Sequence, residues 1–192
     1  MTTQTSLAHE KDQLRKEALA RRKAMPEVDR IEKSLALAEH GSGLPIPPGA
    51  VVAGFWPIRD EIDPRPLMDQ LRQAGHPLCL PVVAEPHLKF RRLERGAEME
   101  PAGFGTMAPG SEAEELRPDV LLMPLAGFDK HGNRIGYGKG HYDTAIAALE
   151  KTGPVVCIGL AFGVQEVDLV PAEGHDKALA GILTEDGYRS FR

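Results

Sequence analysis

Short apolar runs set apart by helical stretches constrain this chain more than any other feature. The runs 50–57 (AVVAGFWP), 77–83 (PLCLPVV), 119–124 (DVLLMP) and 154–162 (PVVCIGLAF) are rich in Val, Leu and Ile. Runs of that kind read as strands buried on both faces of a sheet. Between the first two lies the helical pattern 64–76 (PRPLMDQLRQAGH), and between the last two the pattern 141–153 (HYDTAIAALEKTG). Strands alternating with helices predict an α/β protein with a mostly parallel sheet. The segment 87–93 (HLKFRRL) alternates like a half-exposed strand, and 178–187 (ALAGILTEDG) holds a last short one. Ahead of the sheet, residues 7–25 and 27–40 read as two helices divided by Pro26, and GSGLPIPPG closes them off. Residues 94–118 read as a long polar loop, a length that suggests a functional or disordered segment.

A chain of 192 residues with 42% hydrophobic and 27% charged residues is expected to form one soluble domain, 1–192, with the helical segment 1–40 packed on it. The net charge of −5 speaks against a dedicated nucleic-acid binder, which needs a basic surplus. No apolar stretch approaches the length of a membrane helix, so no membrane partner is expected. Glu10, Asp12 and Glu17 interrupt the N-terminus and argue against a signal or transit peptide. Cys79 and Cys157 sit in strand-like runs and read as buried thiols, which suits a reducing cytoplasm. His87, His131, His141 and His175 have no zinc-site spacing.

One loop carries the chemistry. FDKHGNRIGYGKGHYD, residues 128–143, leaves the strand 119–124 and ends at the start of a helix. Ligands of open α/β sheets bind there, at strand C-termini and helix N-termini. Gly136, Gly138 and Gly140 alternate, so backbone N–H groups can approach an anion closely. Arg134 and Lys139 add charge, the first as a bidentate fork and the second as a mobile point charge. Asp143, at the helix start, suits a divalent cation beside a polyphosphate or, equally, the helix dipole. The loop matches neither the Walker A pattern nor the dinucleotide fingerprint.

The stretch LLMPLAGFDKHGNRIGYGKGHYD resembles the signature of the 5-formyltetrahydrofolate cyclo-ligases, also called 5,10-methenyltetrahydrofolate synthetases. Three more blocks agree in order: EKDQLRKEALARRKAM, PIRDEID, and LAFGVQEVDLVPAEGHDKALAGILTEDG. The resemblance implies a three-layer α/β/α fold related to ribose-phosphate isomerases and CoA transferases. It implies that ATP phosphorylates the formyl oxygen of 5-formyltetrahydrofolate to an iminium phosphate. N10 then attacks, and 5,10-methenyltetrahydrofolate, ADP and phosphate result. It assigns ATP contacts to Lys11, Arg15 and the run Arg134, Ile135, Gly136, Tyr137, Gly138, Lys139, Gly140, His141 and Tyr142. Arg134 and Lys139 would act on the transferred phosphoryl group, and Asp143 and Asp176 would ligate Mg²⁺.

The folate would meet Glu61 and the stretch from Tyr137 to His141. Trp56 could stack on the pterin or belong to the core, and Phe104 could cover the folate. The substrate could carry a polyglutamate tail, and the enzyme is expected to be a cytoplasmic monomer. Three positions depart from the family pattern: Tyr137 where some members carry Arg, His141 where many carry Tyr, and Gly163 where an acidic residue is common. These leave details of pterin and phosphate contact open. Two other readings remain at this point: an enzyme of similar fold acting on sugar phosphates or CoA esters, and a non-catalytic nucleotide- or RNA-binding module.

Overall fold

The computed structural model describes residues 2–84, 87–171 and 176–191, with side chains from residue 7 onwards. Two helices come first, α1 (Thr2–Ala24) and α2 (Glu27–Glu39), with Pro26 between them as expected. Then follow β1 (Val52–Ala53), α3 (Arg65–Gln73), β2 (Leu78–Ala84) and β3 (His87–Arg92). Next are β4 (Met99–Pro101), β5 (Met107–Pro109), β6 (Val120–Pro124), β7 (Gly127–Phe128) and β8 (Arg134–Ile135). The chain closes with α4 (His141–Glu150), β9 (Val156–Leu160), a 3-10 turn (Gly163–Gln165), β10 (Gly181–Thr184) and β11 (Gly187–Ser190).

Seven strands form the central sheet in the order β11-β10-β9-β6-β1-β2-β3. The five inner strands are parallel; β3 and β11 pair antiparallel at the two edges. Alternate residues of each inner strand serve opposite faces. Val120 and Leu122 join Leu37 of α2 and Leu67, Met68 and Leu71 of α3 in one core. Leu121 and Met123 join Ala145 and Ile146 of α4 in the other. Helices on both faces make the three layers. Leu121 and Leu122, at 0% and 1% exposure, each contribute about 1.5–3 kcal/mol of hydrophobic stabilisation.

Two expectations need correction. Residues 94–118 are not an irregular loop: β4 and β5 pair as an antiparallel hairpin, and Leu116 N–H donates to Phe90 O of β3 at 2.8 Å. Strands of three residues, each ending in proline, offer no period to detect. The last strand is followed by another, β11, paired with β10 through the Glu185–Asp186 turn. Asp-Gly at 186–187 is a hairpin signal that anticipates it.

Both cysteines lie in the sheet as expected, Cys79 in β2 and Cys157 in β9, at 0% and 5% exposure. Burial pushes the Cys79 thiol up to about 12. A thiolate-directed disulfide reagent is therefore expected to label neither cysteine in native protein and both in denaturant. Rapid labelling without denaturant would contradict the packing.

The crossovers fix where a ligand can sit. From β1 the chain crosses one face through α3 to β2, and from β6 it crosses the other through α4 to β9. The connections diverge between adjacent strands β1 and β6, which opens a crevice beyond their C-terminal ends.

Candidate active site

A cavity of about 1090 Å³ occupies that crevice. Every site residue expected from the sequence lines it. Lys11 and Arg15 come from α1, Trp56 and Glu61 from the segment after β1, residues 134–143 from β8 to the first turn of α4, and Asp176 from the segment before β10. Phe104 reaches in from the β4–β5 hairpin tip. Gly163 is not part of the wall, so its departure from the family pattern bears on the 3-10 turn instead. A side chain there would extend towards the carboxylates of Glu185 and Asp186.

The glycine-rich loop divides into two parts with different jobs. The first, residues 127–135, is the β7–β8 hairpin. Asp129, fully buried, holds its turn: Oδ1 accepts from His131 N–H at 2.8 Å and Asn133 N–H at 3.1 Å. Oδ2 accepts from Asn133 Nδ2 and Val170 N–H, both at 2.9 Å. Gln165, 1% exposed, donates from Nε2 to Leu125 O and Ala126 O and so ties the 3-10 turn to the same hairpin. Lys130 and His131 are exposed and face away from the cavity wall.

The second part, 136–140, is the cradle. Gly138 (φ 87°) and Gly140 (φ 67°) adopt left-handed backbone that disfavours other residues. Gly140 is the N-cap of α4 and supplies no side chain to its first N–H groups, which remain available to an anion.

The cations around the cradle have defined partners. Arg15 Nε donates to Gly136 O at 2.8 Å and Nη1 to Asp12 at 3.0 Å. Lys11 Nζ pairs with Asp176 Oδ2, and Arg134 Nη2 with Asp143 Oδ1, each at 2.6 Å. The side chain of Arg134 is only 9% exposed, and its Nε is buried without a hydrogen-bond partner. Lys139 Nζ sits 3.3 Å from the centroid of Phe104, whose ring is 5.5 Å from that of His141. Phe104 itself is 55% exposed at a left-handed φ of 52° between two left-handed glycines.

The other end of the cavity is apolar and aromatic, walled by Phe55, Trp56, Val83 and Leu88. Trp56 is half-buried: it packs on the core, as one of its two readings expected, and also lines the cavity, with the Arg65 guanidinium 5.1 Å from its ring. At this end Glu61 Oε2 accepts the Ile58 N–H at 2.9 Å. Burial raises its pKa above the usual carboxylate range, against the hydrogen bonds from Tyr137 and Ile58.

Sequence reasoning missed four contributors. Arg59 lines the cavity in a left-handed conformation (φ 56°). Arg22 stands buried behind Tyr137, and Val83 and Leu88 look in sequence like ordinary core. Among the described residues no three histidine, cysteine or carboxylate side chains converge on one point, and His175 lies outside those residues. The carboxylates of Asp143 and Asp176 are hard oxygen donors at the cationic end of the cavity. They fit Mg²⁺, which takes one or two protein carboxylates and completes its shell with water and phosphate oxygens.

Comparison with known proteins agrees with this geometry. Residues 7–185 match the model of the 5-formyltetrahydrofolate cyclo-ligase family. The 5-formyltetrahydrofolate cyclo-ligase of Escherichia coli K12 is 32% identical over 149 residues, covering 73% of this chain and 80% of its own. That of Mycolicibacterium smegmatis is 31% identical over 184 residues, 91% of this chain and 93% of its own. The solution structure of Aquifex aeolicus 5,10-methenyltetrahydrofolate synthetase superposes with a TM-score of 0.80 at 29% identity, covering 95% of this chain and 93% of that one. The mostly parallel sheet, the flanking helices and a match running through every wall of the cavity lead to one assignment: this chain belongs to the 5-formyltetrahydrofolate cyclo-ligase family.

Proposed function

We propose that the protein converts 5-formyltetrahydrofolate and ATP to 5,10-methenyltetrahydrofolate, ADP and phosphate within this one cavity. The carrying observation is the cavity's two-ended character: an aromatic, apolar end with a buried carboxylate, and a cationic end with open backbone N–H groups. The first suits a pterin and the second a triphosphate. Lys11, Arg15, Arg134, the stretch from Ile135 to Tyr142 and the N-terminus of α4 bind the ATP phosphates. The pterin lies against Trp56, with its N–H groups donating to Glu61, and Phe104 closes over it.

The formyl oxygen attacks the γ-phosphorus, the bond to the β-phosphate oxygen breaks, and ADP leaves. N10 adds to the resulting iminium carbon and loses its proton. The C–O bond then breaks, and phosphate departs with the former formyl oxygen. Arg134 and Lys139 hold the charge that spreads over the transferred phosphoryl oxygens. Cavity walls fix N10 next to the carbon and keep water from it. Asp143 and Asp176 would hold Mg²⁺, which offsets phosphate charge when bound.

The test is to follow the near-ultraviolet absorbance of methenyltetrahydrofolate with purified protein, 5-formyltetrahydrofolate, Mg²⁺ and ATP. An ATP-dependent rise is expected. ATP binding with no rise would favour a phosphorylated sugar or CoA-ester substrate instead.

A further inference from the structure

Arg22 is the most deeply placed cation of the site, 5% exposed, seven residues along α1 from Arg15. Its guanidinium spans two acceptors. Nη1 donates to the Tyr137 hydroxyl and Nη2 to Asp60 Oδ1, both at 2.8 Å. Beyond these, its Nε is buried with no partner. A guanidinium has no lone pair to offer, so the Tyr137 oxygen must accept from Arg22. The phenolic hydrogen is then left to point onward into the cavity that Tyr137 and Glu61 both line, towards the Glu61 carboxylate, whose charged form the hydroxyl favours. The result is a directional chain, Arg22 to Tyr137 to Glu61, that ends at the apolar part of the cavity. Tyr137 lies within the cradle of residues 136–140, but its hydroxyl is committed to Arg22.

The geometry points to Arg22 and Tyr137 as positioning residues for the folate: the hydroxyl, polarised by the buried guanidinium, orients the Glu61 carboxylate and stabilises its charge. This rests on the placement of Glu61 against the pterin proposed above. The groups facing Glu61 are Asp60 from its own loop, Arg22 from α1, Tyr137 from the cradle and Tyr142 from α4. Burial and the Asp60 charge favour the protonated acid; the Tyr137 and Ile58 hydrogen bonds and the Arg22 charge favour the carboxylate. An arginine in direct contact with Glu61 would clamp it. Acting through a phenol, Arg22 supplies charge yet leaves the outward carboxylate edge open to a ligand.

The experiment compares wild type, Tyr137→Phe and Glu61→Gln, measuring the KM for each substrate and the acid limb of the pH profile for folate binding. Tyr137→Phe keeps the ring and removes only the hydroxyl, which accepts from Arg22 and donates onward. Losing a hydrogen bond to a charged group is expected to raise the folate KM about tenfold or more. It should also move the acid limb up by about one pH unit, because protonation of Glu61 becomes easier. The ATP KM should stay within about twofold of wild type. A raised ATP KM with unchanged folate KM and acid limb would overturn the inference and return Tyr137 to the phosphates. Glu61→Gln separates the two levels. If it leaves the folate KM unaltered, the pterin placement itself fails. If it raises the folate KM and flattens the limb while Tyr137→Phe behaves as wild type, only the inference fails. Should Tyr137→Phe unfold, Arg22→Lys carries the same test, since it keeps the charge but loses the fork that reaches Tyr137 and Asp60 together. An upward shift of the acid limb supports the inference, and an unmoved limb overturns it.

Discussion

Replacing Lys139 with alanine is expected to lower kcat by about 10²–10³-fold while leaving the fold and the folate KM nearly unchanged. Lys139 is exposed on the cradle between two left-handed glycines, so its loss opens no cavity in the core, and among the described residues it breaks no ion pair. On the proposed function it removes a cation beside the transferred phosphate, and such a charge matters most when the phosphoryl group is in flight. The contact with Phe104, 3.3 Å from Nζ to the ring centroid, is the resting position of that cation. ATP offers a stronger partner than an aromatic face, which contributes about 0.5–1 kcal/mol at an exposed site. Steady-state kinetics with both substrates saturating decide the matter. A kcat near wild type would remove Lys139 from the reaction and leave Arg134 as the main phosphoryl-facing cation.

Asp129→Ala is expected to cost on the order of 3 kcal/mol of stability, or more, although Asp129 touches no ligand. Its carboxylate accepts from three backbone N–H groups and one side-chain amide, and each buried donor left without a partner is worth about 1–3 kcal/mol. Burial alone would raise its pKa, but the hydrogen bonds from Val170, Asn133 and His131 outweigh this and hold it below the usual carboxylate range. Because the folded pKa lies below the unfolded one, the contribution is complete at neutral pH. It fades as pH falls through the folded value. Urea midpoints measured from neutral to acid pH should therefore fall more steeply for wild type than for Asp129→Asn. Activity should drop with stability in Asp129→Ala, since Arg134 opens the strand that the Asp129 turn sets in place. A midpoint unchanged at neutral pH would mean that the hairpin is held by Gln165 and the sheet alone.

The layers were legible because parallel strands in an α/β core are continuous apolar runs, and 119–124 and 154–162 are nothing else. The edges were less so: β4 and β5 are three residues each, and β11 follows β10 too closely to stand out as a separate run. At the site, the glycine spacing pointed to the open left-handed backbone at Gly138 and Gly140, while the roles expected of Lys11, Glu61 and Asp176 came from the family resemblance. Arg21 and Arg22 illustrate what a single sequence withholds. They are adjacent and chemically identical, but the rotation of α1 sends Arg21 to the carbonyls of Val164 and Glu166 at the surface and Arg22 inward to Tyr137 and Asp60. Tyr137 read in sequence as a departure from an Arg that some family members carry; its hydroxyl partner Arg22 comes from 115 residues away along the chain, beyond the reach of any local pattern.

Trp56 is the chain's single tryptophan, and it stands in the wall of the cavity at the apolar end. The protein thus carries its own optical reporter, with one emitter and no background from indoles elsewhere. A pterin stacked near the indole would quench that emission, whereas a nucleotide at the cradle would leave it largely untouched. Titrating each substrate with and without the other would give the order of binding from unlabelled protein.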